Sequence, residues 1–143
     1  MASIRKEILI DAQPEYVWAA IRDFGAVQRL VPGFLTDCVM ERDTRIVTFF
    51  NGRVARERLV DIDDNMRRLV YAEPEGRFVT RSASLEVFAD GGGGSRVVWI
   101  NDLLPNEFAE MIRSNMDRAA IVLKETLERG AASNSRSSPH TGN

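Results

Sequence analysis

The feature that most constrains this chain is an amphipathic segment from about Pro105 to Arg129 that follows a run of short alternating strands. Phe108, Ile112, Met116 and Ala119 recur at i, i+4, i+8 and i+11, with Asn115 at their margin and Leu123 and Leu127 continuing the stripe. That spacing predicts one long helix with a single apolar face. Such a face has to lie on something, and the strands before it supply a sheet.

Residues 34–42, 44–50, 53–62, 67–73, 79–89 and 96–103 read as strands. Their links carry turn chemistry at Arg42-Asp43, Asn51-Gly52, Asp63-Asp64-Asn65, Pro74-Glu75-Gly76 and Asp90 through Ser95. Links this short between successive strands mean an antiparallel meander. The four glycines at 91–94 sit between Val87-Phe88 and Val97-Val98 and read as a hairpin tip, since no helix follows to offer its amides to a phosphate. Upstream, Ile4, Ile8 and Ile10 alternate with Arg5, Glu7 and Asp11, a half-buried strand whose inner face is interrupted at Lys6. Pro14 opens a helix that turns Val17, Ile21 and Phe24 to one side. Gly25 ends it, and a further short turn over residues 26–30 is stopped by Pro32-Gly33.

With 143 residues, 44% of them hydrophobic, the chain can bury a core of its own. Residues 1–130 are expected to form one domain. Residues 131–143, rich in Ala, Ser and Asn, are expected to be a disordered tail. A net charge of −2 with both signs interspersed leaves no electrostatic footprint for nucleic acid. No apolar run reaches the length of a membrane span, and no signal-peptide core is visible. The single cysteine, Cys38, favours a reducing compartment, so the expected location is cytoplasmic.

Histidine restricts the chemistry most. The only one, His140, falls in the expected tail, so the domain has no imidazole for general-base work, for activating a serine or for holding a metal. One cysteine cannot build a structural zinc site. No cofactor and no metal is implied, and any reaction would rely on carboxylates, arginines, tyrosines or water.

Strand parity picks out polar residues on faces that should be apolar. In residues 54–62, Arg56 and Arg58 want water, which turns Ala55, Glu57, Leu59 and Asp61 inward. In residues 79–89, Val79, Arg81, Ala83, Leu85, Val87 and Ala89 share the inner face. Glu57 and Arg81 then sit on strands separated by one other, about 10 Å apart at the backbone, a gap two long side chains can close. Trp99 and Asn101 share a face of the last strand. The segment 46–50 is apolar on both sides, with Val47 and Phe49 opposing Ile46, Thr48 and Phe50. One set needs cover, either from residues 25–34 or from a second copy of the chain in a homodimer.

The order strand, helix, short helix, six strands, long helix, together with "ILIDAQPEYVWAAIRDF" (residues 8–24), Pro32, "RERLVDIDD" (residues 56–64), Val98-Trp99 and Pro105, resembles the START-related, birch-pollen-allergen-like superfamily. Within it the resemblance is to the polyketide cyclase/dehydrase and lipid-transfer group, over residues 3–129. Where that group often places a tryptophan just before the proline, Leu30 stands here. The resemblance implies an α+β helix-grip fold, β-α-α-β6-α, in which a curved antiparallel sheet of about seven strands wraps a long C-terminal helix and leaves a cavity between them. Residues 56–59 are also similar to plant abscisic acid receptors, which carry a glutamate at the position of Glu57. Their second-strand lysine is missing between Phe34 and Glu41, so only mobile mouth loops near Asn51-Gly52 and Gly76-Arg77-Phe78 are carried over.

An apolar ligand entering such a cavity gains roughly 25 cal/mol per Å². The candidate lining is Phe49, Glu57, Leu59, Arg81, Ala83, Trp99, Asn101, Phe108, Ile112, Asn115 and Met116. The favoured expectation is a noncatalytic carrier or sensor of a small hydrophobic molecule: a lipid, quinone, steroid or polyketide-like compound. The second is a polyketide cyclase, aromatase or dehydratase in which Glu57, Arg81 and water move protons. The third is an interaction domain with a vestigial cavity.

Overall fold

A computed structural model describes residues 2–137. Strand β1 (Ala2–Ile10) leads into helix α1 (Pro14–Arg22), a single 3₁₀ turn (Phe24–Ala26) and the short helix α2 (Val27–Leu30). Six strands follow: β2 (Leu35–Glu41), β3 (Thr44–Phe49), β4 (Val54–Asp63), β5 (Arg68–Ala72), β6 (Thr80–Ala89) and β7 (Ser95–Leu104). A second 3₁₀ turn (Asn106–Phe108) opens the long helix α3 (Ala109–Ser137). The strands form one antiparallel sheet in the order β1-β7-β6-β5-β4-β3-β2. This is the expected helix-grip arrangement. No helix among the described residues is long and apolar enough to cross a membrane.

The α3 helix is fastened to the sheet along β1. Lys6, the break in the β1 pattern, reaches Asp117 on α3 at 2.9 Å. Lys124 donates to the Leu9 carbonyl at 2.8 Å, and Glu128 accepts from the Asp11 amide at 2.8 Å. Each polar tie sits at the margin of an apolar contact in which Ile4, Ile8 and Ile10 face Met116, Ala120, Leu123 and Leu127 across the two buried clusters. On the other side, the Trp18 indole of α1 donates to Asp64 in the β4–β5 turn at 2.9 Å, and Val17 and Ile21 are buried beside it.

Three expectations change. Asp61 is exposed, because the register shifts between Leu59 and Asp61; the extra residue reverses the parity and turns Ile62 to the core instead. Val79 is 75% exposed, as it precedes the first paired residue of β6 and escapes the sheet's alternation. The α3 helix does not stop at Arg129 but runs to Ser137, so residues 131–137 are helical; 138–143, the rest of the expected tail, lie outside the described residues. Gly130 lies inside this helix, where a Cβ would collide with the Tyr16 hydroxyl. Ala131 and Ala132, the best helix formers, then extend an already nucleated helix, with Ala131 packed on the core.

The doubly apolar segment at the end of β3 has partial cover from the stretch before β2. Phe34 lies against Phe49 at 5.7 Å and Phe50 at 5.8 Å between ring centroids. Phe50 keeps 43% of its surface exposed, with the Arg118 guanidinium 4.3 Å above its ring.

Candidate functional site: a cavity floored by paired charges

Between the sheet, α3 and the α1–α2 segment lies a cavity in which the centre of a water-sized sphere is free over about 90 Å³. Taken as a sphere and widened by a water's radius, that space corresponds to a void of about 300 Å³, the small end of ligand pockets. Its wall is mostly apolar: Ile21, Leu30, Phe34, Leu69, Leu85 and Leu123 are among the side chains that form it. A second hollow, lined by residues 49–53, Arg77, Met111 and Asn115, shares Phe49, Arg53 and Asn115 with the cavity and adjoins it at the mouth.

Of the residues singled out in the sequence, Phe49, Glu57, Arg81, Trp99, Asn101, Ile112, Asn115 and Met116 line the cavity. Leu59, Ala83 and Phe108 do not. Leu59 packs into the core just before the β4 bulge, and Ala83 is buried on the inner face of β6 with no side chain long enough to reach the void. Phe108 belongs to the 3₁₀ turn and packs on the same side as Ile112 and Met116, but its ring meets Phe78 edge-on at 5.3 Å and does not line the void. Leu123, expected to be plain core, does reach the cavity.

The polar floor is larger than parity on two strands revealed. Arg45, Glu57, Arg81 and Glu73 form a continuous chain of alternating charge. Arg45 Nε donates to Glu57 at 2.8 Å, Arg81 Nη1 to Glu57 at 3.2 Å and to Glu73 at 2.9 Å. Arg81 Nε also donates to Asn101 Oδ1 at 3.1 Å, and Arg45 to the Phe24 carbonyl at 3.2 Å. At the mouth, Arg53 extends the chain to Glu73 at 3.5 Å. The Arg45 guanidinium lies 4.0 Å from the Phe24 ring centre and 4.7 Å from that of Tyr71, so its flat faces are covered too.

Arg45, Tyr71 and Glu73 escaped the sequence reading. Arg45 shares parity with Val47 and Phe49, and the register places it directly opposite Glu57. Tyr71 and Glu73 continue the inner face begun by Leu69. Gly76 closes the loop over Glu73 with a φ of +125°, where any Cβ would come within 2.9 Å of that carboxylate.

Burial alone would raise the Glu57 carboxyl; the guanidiniums of Arg45 and Arg81 outweigh it and hold the group below its ordinary value. Burial works against the charge on Arg81, yet Tyr71, Glu57 and Glu73 raise it above the usual arginine range. Glu73 moves the other way from Glu57: its burial, with repulsion from Glu57, outweighs Arg81 and Arg53 and raises it. Burial and the Glu57 charge push the Tyr71 phenol up, so it is neutral at pH 7. Two buried donors of the lining, Trp99 Nε1 and Asn101 Nδ2, have no hydrogen-bond acceptor. The Trp99 indole is near enough to the Tyr71 hydroxyl to favour its anion slightly, but the two make no well-formed hydrogen bond.

A family model described as "Polyketide cyclase / dehydrase and lipid transport" matches residues 1–132. No curated protein is similar enough in sequence to match. Solved structures are similar across nearly the whole chain. The protein XoxI from Bacillus cereus superposes with a TM-score of 0.81 at 18% identity, covering 89% of this chain and 96% of its own. The Zhui aromatase/cyclase from Streptomyces sp. R1128 gives 0.72 at 15% identity, covering 95% and 96%. A START superfamily protein from Mycobacterium smegmatis gives 0.66 at 13% identity, covering 92% and 97%. Identities this low carry the fold and not the activity.

Proposed function

We propose that this chain, which belongs to the polyketide cyclase/dehydrase and lipid transport family, binds a small hydrophobic molecule in the cavity between sheet and α3 and leaves it chemically unchanged. The observation that carries the reading is an apolar chamber in which every charged group is already committed to another. The roughly 30 Å³ that one water occupies in the liquid puts the void's capacity at about ten to fifteen non-hydrogen atoms. That favours a one- or two-ring compound or a short chain over a steroid or a fused polyketide.

The enzymatic alternative needs a proton-transfer group poised near neutrality and facing the ligand. Among the described residues the site offers none. Glu57 faces the cavity but is held anionic by two guanidiniums, which makes it a poor base. Glu73 has the raised value a base would need, yet lies behind Arg81 and does not line the void. Tyr71 lines it as a neutral phenol.

The test is a native mass spectrum of the purified protein set against its denatured mass, for the wild type and for Ala119→Leu, whose three added carbons take up about a quarter of the void. The expected result is an excess mass on the wild type, of the order of 150–250 Da for a ligand of that size, and a smaller fraction of the variant carrying it. The extracted compound, returned to the protein, should come back unaltered. A wild type that is empty and takes up no small hydrophobe would refute binding; a chemically altered compound would establish catalysis.

A further inference from the structure

Three buried side-chain polar atoms among the described residues lack a partner: Gln28 Oε1, Trp99 Nε1 and Asn101 Nδ2. The acceptor, on α2, is not part of the cavity lining; both donors are. Among its fully buried side-chain atoms the cavity therefore presents two unpartnered N–H groups and no unpartnered acceptor. Asn101 is completely buried. Its amide cannot be turned over to remove the problem, because Oδ1 is held by Arg81 Nε at 3.1 Å, and an arginine has nothing to accept with. Trp99 lies two residues before Asn101 on β7, paired with Leu85 where Asn101 is paired with Ala83, so both stand on the inner face.

Leaving two donors dry costs far more than a hydrogen bond returns on average. A ligand that brings an acceptor to them recovers that cost, and one without an acceptor does not. The charge of the required acceptor follows from the floor. Arg45 and Arg81 are balanced by Glu57 and Glu73, and Arg53, the remaining cation, stands at the mouth. A carboxylate brought to the inner end would lack a free counter-charge and would face the Glu57 anion, so desolvating it is unfavourable. A neutral oxygen incurs no such penalty.

We propose, building on the binding reading above, that the ligand is a largely hydrocarbon molecule bearing a neutral carbonyl oxygen that enters first and accepts from Asn101 Nδ2 and Trp99 Nε1. The rest of the molecule lies along Ile112, Met116 and Leu123 toward the mouth.

Three probes of one shape separate the elements of this statement: 2-acetylnaphthalene, 2-isopropenylnaphthalene, in which CH₂ replaces the oxygen, and 2-naphthoate. Binding is measured by equilibrium dialysis to the wild type, Trp99→Phe and Ala119→Leu, with melting curves to confirm that each is folded. The ketone should bind at least about tenfold more tightly than the alkene, the factor one well-made hydrogen bond carries, and no less tightly than the carboxylate. Trp99→Phe removes the N–H but keeps an aromatic ring; it should weaken the ketone several-fold more than the alkene, which loses only ring contact. Ala119→Leu should weaken all three. Equal binding of ketone and alkene would overturn the carbonyl inference and leave the binding function standing. A carboxylate preferred tenfold over the ketone would overturn the neutrality of the oxygen. Uptake of none of the three, or uptake indifferent to Ala119→Leu, would remove the binding function and this inference with it.

Discussion

Glu57→Gln isolates the energetics of the floor. The wild-type carboxylate lies between two guanidiniums at 2.8 and 3.2 Å, with side-chain exposures of 5% for Arg45, 6% for Glu57 and 8% for Arg81. Glutamine keeps the shape and one acceptor oxygen but points an NH₂ at one of the arginines. It also leaves Arg45, Arg53 and Arg81 with Glu73 as the only anion of the chain. Removing one partner of a buried ion pair costs about 3–5 kcal/mol, because the surviving charge is left in a medium that cannot solvate it. For a domain of this length that lowers the melting temperature by roughly 10–20 °C. With a urea m-value of about 1.5 kcal/mol/M it lowers the midpoint by about 2–3 M.

The internal control is Glu41→Gln. Glu41 meets Arg56 at 3.0 Å, a comparable distance, with exposures of 61% and 44%. In water that pair is worth under about 1 kcal/mol, and its loss should barely move the midpoint. The comparison uses urea denaturation followed by circular dichroism at constant ionic strength. A loss for Glu57→Gln no larger than for Glu41→Gln would refute the reasoning, since it would mean that water reaches the chain of charges and the cavity floor is wet.

Ala119→Leu adds three carbons facing a void that is already there, so it should raise stability by about 0.5–2 kcal/mol while reducing ligand uptake; a destabilised variant would show that the cavity wall cannot take the added side chain. Acid stability should depend on Glu57 with a definite sign. Its native value is depressed below 4.5, so the unfolded chain takes up the proton first; the contribution is complete above about 4.5 and vanishes as pH falls through the native value. Urea midpoints measured across pH 3–6 should fall more steeply below that point in the wild type than in Glu57→Gln, and parallel curves would count against it. Gly130→Ala, normally a favourable change in a helix, should be destabilising by about 1 kcal/mol or more because the methyl collides with the Tyr16 hydroxyl. Gly130→Ala combined with Tyr16→Phe should recover much of the loss, and thermal melts of the single and double variants decide it.

Parity found Glu57 and Arg81 because β4 up to Leu59 and β6 from Arg81 pair with their neighbours without a bulge. It misplaced Asp61 because the bulge after Leu59 inserts a residue that no turn signal announces. Helical spacing put Phe108 on the correct side, where Phe78 takes its ring in place of the void. The size of the void was unreadable for another reason. It depends on how far α3 stands from the sheet, which is set jointly by Ile21, Leu30 and Phe34 from one side and Met116 and Leu123 from the other. Arg45 is the instructive omission. An arginine in a strand is ordinarily a surface residue, and its parity with Val47 and Phe49 conflicts with that habit. The conflict disappears once the Asn51-Gly52 turn aligns β3 with β4 and brings Arg45 opposite Glu57. The same step across β5 joins Glu57 to Arg81, and Arg81 to Glu73 at the end of the inner face of β5. A charge at inward parity is costly unless paired; each one found on a strand is therefore a reason to seek its counter-charge on the strands that the turns align with it.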